Sequence, residues 1–345
     1  MSFFVLILCI LNTFSKMPTV TLQNAAQPHT EIPVVRLGTG GYTAAKSPEA
    51  TPEHWNATEG YINTIKWFNI GGRGVDTANT YQSFPGVASG LLNITNNWTT
   101  INRKDVWITS KTGPPLPLGY NDTINQWRNI IDLLNTTYVD IIYIHWPSDN
   151  STNSYKSTDY YCNASDTRYN PKTCRQNTWK AYEYIFNIGG ARAIGVSNFE
   201  INHLQDIFEL NSLIPAVNNI EFHGYWHEYE LVNYCQSFNI LINSYAPLGT
   251  PDVTYGDWTG NTPILTQHPV AIQVANRYNK TAPQVWLKWA LQQNIVVNPR
   301  SWNVTHQEQN MDIFDFMLNE EDMLYLSSIQ PPNDPKICPN PQTYA

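Results

Sequence analysis

Tyr138-Val139-Asp140-Ile141-Ile142-Tyr143-Ile144, followed at once by His145-Trp146-Pro147, is the stretch that decides the architecture. Side chains of a strand alternate between two faces, and here both faces are almost wholly apolar. A sheet wetted on one side would alternate apolar with polar residues. A run that is apolar on both sides reads as a parallel strand covered by helices. Working outward, similar short runs recur at Gly74–Ala78, Val106–Lys111, Ala191–Asn198, Ala216–His223, Ile240–Pro247 and Ile295–Ser301, and Ile32–Gly38 precedes them all. Helix-like segments lie between them, at Pro52–Asn69, Gly86–Leu92, Asn121–Leu134, Thr178–Asn187, Glu200–Glu209, Glu228–Phe238 and Ala282–Gln293. This alternation predicts an α/β fold, a closed (β/α)8 TIM barrel, rather than an open doubly wound sheet. An open dinucleotide-binding sheet would carry Gly-x-Gly-x-x-Gly after its first strand, and Leu37-Gly38-Thr39-Gly40-Gly41-Tyr42 lacks that spacing. Thr19–Leu22 and Ile32–Val35 flank Asn24-Ala25-Ala26 and predict an N-terminal β-hairpin plugging the barrel bottom. Ser148–Gln176 is a polar loop too long for a plain connection, which predicts long loops on the C-terminal face.

The 345 residues carry a net charge of −8, so no basic face for nucleic acid is expected. No basic amphipathic stretch suggests a membrane surface, and no metal site is expected. Phe3–Leu11 is an apolar run of signal-peptide length, too short to span a bilayer. Thr13 and Ser15 are small residues placed for cleavage after Ser15, although Met1–Phe4 lacks the usual Lys or Arg. The domain reading is therefore a signal peptide at 1–15 and one barrel domain at 16–345. Nine Asn-X-Ser/Thr sequons, at Asn56, Asn93, Asn97, Asn121, Asn135, Asn150, Asn163, Asn279 and Asn303, suit a glycoprotein that is secreted or held in the secretory lumen. The alternative is a cytoplasmic protein with unused sequons. Cys162 and Cys174 share one polar loop and can close it as a disulfide, whereas Cys235 on a helix reads as a buried thiol.

In such a barrel, function gathers at the C-terminal ends of the strands. Asp76, Lys111 and His145 end successive runs, and Tyr81 lies on the loop after Asp76. Each alone has a bland reading, as a helix cap, a rim charge or a core histidine. Their succession in one order is harder to dismiss. The chain also resembles the aldo-keto reductase family from about Met17 to about Ser328. The resemblance rests on Gly74-Val75-Asp76-Thr77-Ala78-Asn79-Thr80-Tyr81, Ile108-Thr109-Ser110-Lys111, Ile144-His145-Trp146-Pro147, Ala193-Ile194-Gly195-Val196-Ser197-Asn198-Phe199, Tyr245-Ala246-Pro247-Leu248-Gly249, Pro299-Arg300-Ser301 and Phe314-Asp315-Phe316.

The resemblance implies an NADP(H)-dependent oxidoreductase that reduces aldehydes or ketones, with the tetrad Asp76, Tyr81, Lys111 and His145. Tyrosine is a weak acid, with an ordinary pKa near ~10. A nearby lysine favours its phenolate, an aspartate holds the lysine, and a histidine orients the carbonyl oxygen. The family's nicotinamide contacts map onto Ser197, Asn198, Asn219 (where glutamine is usual) and Tyr245, whose ring stacks on the nicotinamide. Its adenosine phosphate site maps onto Arg300, Ser301, Asn303 and Asn310. His306 stands where an arginine is common and Gln309 where a glutamate is usual, and losing one permanent cation blunts the preference for the phosphorylated cofactor. With Arg300 as a bidentate phosphate partner, NADPH is the expected cofactor and NADH the alternative. Trp146 keeps a pocket indole. Gly40 and Gly113 align with positions that often hold tryptophan, which predicts a wider mouth unless Ser148–Gln176 covers it. Tyr120, Tyr160, Tyr161, Tyr225, Trp226, Tyr255 and Trp258 are further loop aromatics. The expected partner is a small carbonyl compound, acting on a monomer. Two other classes compete. One is a secreted binding protein on the same barrel, supported by the Asn303 sequon inside the phosphate segment. The other is a barrel glycosidase using Asp76 and Glu221, which leaves Lys111 and His145 without a role.

Overall fold

The computed structural model describes residues 17–25, 30–40, 56–98, 100–148, 157–249, 264–331, 336–338 and 340–343. The predicted signal peptide, Asn150, Tyr255 and Trp258 lie outside these residues.

A two-stranded antiparallel hairpin, β1 (Thr19–Thr21) and β2 (Glu31–Pro33), opens the chain, with Val20 opposite Ile32. Eight parallel strands follow in sequential order. They are β3 (Leu37–Gly38), β4 (Gly74–Asp76), β5 (Trp107–Thr112), β6 (Val139–Ile144), β7 (Ala191–Ser197), β8 (Val217–Glu221), β9 (Leu241–Tyr245) and β10 (Ile295–Asn298). A parallel bridge between Val35 and Val297 joins the first of these strands to the last and completes the ring. β6 is buried at every position, as its two apolar faces require. Leu22 and Ile32 pack with Trp107, Ile141, Tyr143 and Val217, so the hairpin closes the bottom of the barrel interior.

Helices cover the outside. They are α1 (Ala57–Asn69), α2 (Phe84–Asn97), α3 (Tyr120–Leu134), α4 (Pro171–Asn187), α5 (Ile201–Phe208), α6 (Tyr229–Ser237), α7 (Pro269–Tyr278), α8 (Ala282–Leu291), α9 (Val304–Met311) and α10 (Glu320–Ser327). The reading of Ser148–Gln176 as loop and of a helix starting only at Thr178 is corrected. The helix α4 begins at Pro171, where Pro has no N–H to lose in the first turn and the Asn170 side chain accepts from Thr173 N–H at 2.9 Å. α7, α9 and α10 were not expected from the sequence; α9 and α10 are short and weakly amphipathic, the kind that periodicity does not reveal. Cys162 and Cys174 are disulfide-bonded and tie the loop to the first turn of α4. Cys235 is buried on α6, outside any disulfide.

Candidate active site

Strand ends converge on one cavity of about 720 Å³ at the C-terminal face. Asp76 ends β4 and Lys111 points inward from β5, because adjacent parallel strands in register bring their ends together. Lys111 Nζ donates to Asp76 Oδ2 at 2.6 Å and to the Thr77 carbonyl at 3.1 Å. Thr109 Oγ1 donates to Asp76 Oδ1 at 2.7 Å, so both carboxylate oxygens are held. Lys111 Nζ stands 5.2 Å from the centroid of the Tyr81 ring. The Tyr81 and His145 rings meet edge to face at 5.8 Å. His145 follows β6, and its N–H donates to the Thr112 carbonyl at 2.8 Å. The four residues that the sequence scatters over seventy positions thus share one cavity wall with Trp146.

Burial governs the protonation states. Burial and the Lys111 charge pull His145 down to about 3, so its imidazole is neutral at physiological pH. Burial alone would lower Lys111, but Asp76 and Tyr81 outweigh it and the ammonium is held above its ordinary range. For Tyr81 the balance differs from the expectation. Burial raises the phenol pKa, Lys111 opposes, Asp76 adds to the rise, and the net direction is upward. The lysine limits the rise rather than reversing it. Tyr81 therefore stands as a phenol next to a neutral imidazole, a donor pair for a developing oxyanion.

Beyond β7 lies a network of amides. Asn198 takes left-handed backbone with φ 60°. Its Nδ2 donates to the His145 carbonyl at 2.9 Å, and its Oδ1 accepts from Tyr245 Oη–H at 2.7 Å. Asn219 Nδ2 donates to Ser197 Oγ at 3.3 Å, and Asn219 Oδ1 accepts from Asn243 Nδ2 at 2.6 Å. Ser197, Asn198, Asn219 and Tyr245 all line the cavity. Asn219 is shorter than glutamine, and Asn243 braces it from β9, a support the sequence did not reveal.

The opposite end is lined by Arg300, Ser301, Asn303, His306, Gln309 and Asn310. Arg300 donates to the Gly40 carbonyl at 2.9 Å. Asn303 caps α9 by accepting from Thr305 N–H at 2.9 Å, and it is exposed at the cavity rim. A Cβ at Gly40 would lie 2.9 Å from the Tyr81 ring, so glycine there is what lets the phenol occupy its place. Gly113 does not line the cavity, which corrects its assignment to the substrate pocket. Its φ of 96° suits glycine, and its α-carbon faces Leu118; Pro115 is the lining residue of that loop.

None of the described loop residues 157–176 lines the cavity, nor do Tyr120, Tyr225 or Trp226. The C-terminal segment does, through Ile337 and Cys338. Glu221, at the end of β8, holds it in place. Its carboxylate accepts from Ile337 N–H at 2.6 Å and Cys338 N–H at 2.9 Å, with His223 Nε2 at 3.0 Å. No local sequence signal pairs residues more than a hundred positions apart, so this wall was missed. Glu221 is thus fully engaged, and Asp76 is the single carboxylate among the described lining residues. A glycosidase needs two at the scissile bond, and that reading is set aside.

Similarity to known proteins agrees with this geometry. The model of the Aldo/keto reductase family matches residues 36–331. A Trypanosoma cruzi 9,11-endoperoxide prostaglandin H2 reductase is 29% identical over 306 residues, covering 88% of this chain and 94% of that protein. A Bacillus subtilis glyoxal reductase is 30% identical over 325 residues, covering 94% and 98%. The solved structure of a Bombyx mori aldo-keto reductase in complex with NADP superposes with a TM-score of 0.74 at 26% identity, covering 91% of this chain and 92% of that one. Barrel, tetrad and family model point the same way: the chain belongs to the aldo/keto reductase family.

Proposed function

We propose that the protein is an NADPH-dependent oxidoreductase that reduces small aldehydes or ketones, with Tyr81 as the proton donor. The observation that carries this reading is the buried Lys111–Asp76 pair behind a Tyr81 phenol and a neutral His145. The cavity fits a dinucleotide. Amide groups gather at one end and the Arg300 cation with the N-terminus of α9 at the other, suited to a phosphate. Ser197, Asn198 and Asn219 would hold the carboxamide, Tyr245 would stack on the ring, and Arg300, Ser301, Asn303 and Asn310 would hold the adenosine phosphate. When bound, the cofactor supplies the hydride. Neutral His145 donates a hydrogen bond to the carbonyl oxygen and sets its orientation. As negative charge grows on that oxygen, Tyr81 Oη releases its proton to it, and Lys111 stabilises the phenolate left behind. Asp76 keeps Lys111 charged and in place. Names of relatives suggest reactive dicarbonyls or oxygenated lipids as substrates to try.

We also propose that the enzyme works in the secretory lumen or outside the cell. The Cys162–Cys174 disulfide favours an oxidising compartment. The apolar run Phe3–Leu11 and the nine sequons favour the same route.

The test is Tyr81→Phe. Carbonyl reduction should fall by roughly 10²–10⁴-fold, while NADPH binding, read from quenching of the 12 tryptophans, stays close to that of the parent. Undiminished turnover would reject Tyr81 as donor. Titration with NADPH and NADH in the same assay tests the cofactor, and equal affinity would reject the phosphate-site reading.

A further inference from the structure

The barrel interior holds a second cation that the tetrad does not use. Arg36 immediately precedes β3 and is 0% exposed. Gly38 pairs with Asp76, so Arg36 lies beside Gly74, two residues lower on the same face, or about 7 Å of strand. A Cβ at Gly74 would sit 2.6 Å from Arg36 Cγ, so the arginine stem crosses the one neighbour that leaves room for it. Arg36 Nε donates to Asn298 Oδ1 at 3.1 Å, and Asn298 lines the active-site cavity. Asn298 Nδ2 has no hydrogen-bond partner among the described residues, and the Arg36 guanidinium faces the Tyr143 hydroxyl, a neutral hydrogen-bonding neighbour that leaves its charge unpaired. Burial lifts Tyr143 to about 12, and the Arg36 charge is the strongest influence opposing it. The Tyr143 ring in turn lies 5.9 Å from Lys111 Nζ. Arg36 is therefore separated from the tetrad by one side chain.

No ion pair among the described residues includes Arg36. Among the described residues Lys111 pairs with Asp76, the buried Asp140 of β6 is held by Arg103 and Arg192, and His145 is neutral, so Arg36 adds a positive charge that none of these carboxylates offsets in an ion pair. Glu221 lies across the barrel, its carboxylate enclosed by the Ile337 and Cys338 amides and His223. Burying an unpaired cation disfavours the folded state, and an apolar side chain would fill the same space without that penalty.

We propose that Arg36 is a positioning residue for proton transfer, acting through the field at Lys111 and Tyr81. Its charge leaves the barrel interior short of one negative charge, and that charge appears when Tyr81 becomes a phenolate. In carbonyl reduction, hydride from the reduced nicotinamide cofactor reaches the carbonyl carbon. The Tyr81 O–H bond breaks, its proton joins the substrate oxygen, and the electron pair stays on Oη, where Arg36 and Lys111 together offset it. Alcohol oxidation runs the same transfer backwards. The inference rests on the reading of Tyr81 as proton donor.

The groups facing Tyr81 are Lys111 of β5, Asp76 of β4, His145 after β6 and Cys338 of the tail. None of them changes in Arg36→Gln. The experiment records pH profiles of NADPH-dependent reduction of 4-nitrobenzaldehyde and of NADP+-dependent oxidation of its alcohol, using the full chain. Loss of the cation destabilises the phenolate, so the alkaline limb of reduction should move up by about one pH unit. Below that limb, oxidation should slow by about tenfold. Arg36→Lys should keep the parent limb. Asn298→Asp, nearly isosteric, sets a carboxylate against Arg36 and should shift the limb in the same direction even if Arg36→Gln folds poorly. The melting temperature of Asn298→Asp should equal or exceed that of the parent, which separates a shifted limb from a misfolded chain. A folded Arg36→Gln or Asn298→Asp with an unmoved limb overturns the proposal, as does a limb in Arg36→Lys that shifts as far as in Arg36→Gln. Tyr81→Phe measured alongside separates the two readings. If it is inactive while the Arg36 variants leave the limb in place, only the role of Arg36 falls. If it remains active, the donor assignment falls first.

Discussion

His145 shows how burial sets chemistry at one residue. Its folded pKa of about 3 lies below the ordinary 6.5, because burial and the Lys111 charge both disfavour the imidazolium. A group depressed in this way contributes stability that is complete above pH 6.5 and is lost as pH falls towards 3. The melting temperature of the parent should therefore fall more steeply below pH 6.5 than that of His145→Gln. Carbonyl reduction should show no loss centred near pH 6.5, and a limb there would contradict a neutral His145. Tyr81 teaches the complementary point. Its residue type and its lysine neighbour were legible in the sequence, but the net direction of its pKa was not. Burial and field depend on everything around the ring, including Gly40, which leaves room for it, and Cys338, which acts on it through charge, from distant parts of the chain.

At the scale of elements, the polar loop after β6 is an appendage with its own tether. Cys162 lies in a single turn, Tyr160–Cys162, and Cys174 in the first turn of α4. Closing that loop constrains the unfolded chain, and Cys174→Ser should lose about 3 kcal/mol in denaturant melts on the chain-entropy model. Reduction kinetics should change little, because the described part of this loop contributes nothing to the cavity lining. The C-terminal segment is the opposite case. Its described lining residues are few, yet two of its amides are clamped by Glu221. Glu221→Ala should free that wall and raise KM for carbonyl substrates several-fold, with NADPH quenching preserved. An unchanged KM would show that the wall stands without its clamp. Strand order and helix alternation were readable because each strand's apolar pattern is local. The clamp was not, because a carboxylate at a strand end looks the same whether it meets a substrate, a cation or a remote amide.

For the whole molecule, the question is whether export and catalysis coexist. Asn303 is exposed at the cavity rim and caps α9, beside the proposed phosphate site. A glycan there would fill space the adenosine phosphate needs. Asn97 at the exposed end of α2, Asn56 capping α1 and Asn93 on α2 are sequons outside the cavity lining. Glycopeptide mass spectrometry of the natural protein should find Asn303 unoccupied and Asn56, Asn93, Asn97 and Asn150 occupied more often. High occupancy at Asn303 would favour the secreted binding protein over the enzyme. Terminal sequencing should find the mature chain starting near Lys16, and an intact Met1 on an unglycosylated chain would remove the secretory reading without touching the barrel.

The sequence by itself determined the barrel and, through strand-end position and family resemblance, singled out Asp76, Tyr81, Lys111 and His145 as the candidate tetrad. Parallel strands buried on both faces write their apolar pattern locally, and each tetrad residue sits at or just after a strand end that such a pattern marks. Tertiary structure alone decided what those residues meet. It placed Gly113 against Leu118 instead of the cavity, gave Glu221 to the tail, braced Asn219 with Asn243, and enclosed Arg36 beneath the cavity with no ion pair among the described residues. The physical reason is the same in each case. Burial, field and hydrogen-bond partnership are sums over neighbours brought together from the whole chain, and no local pattern of residues encodes such a sum.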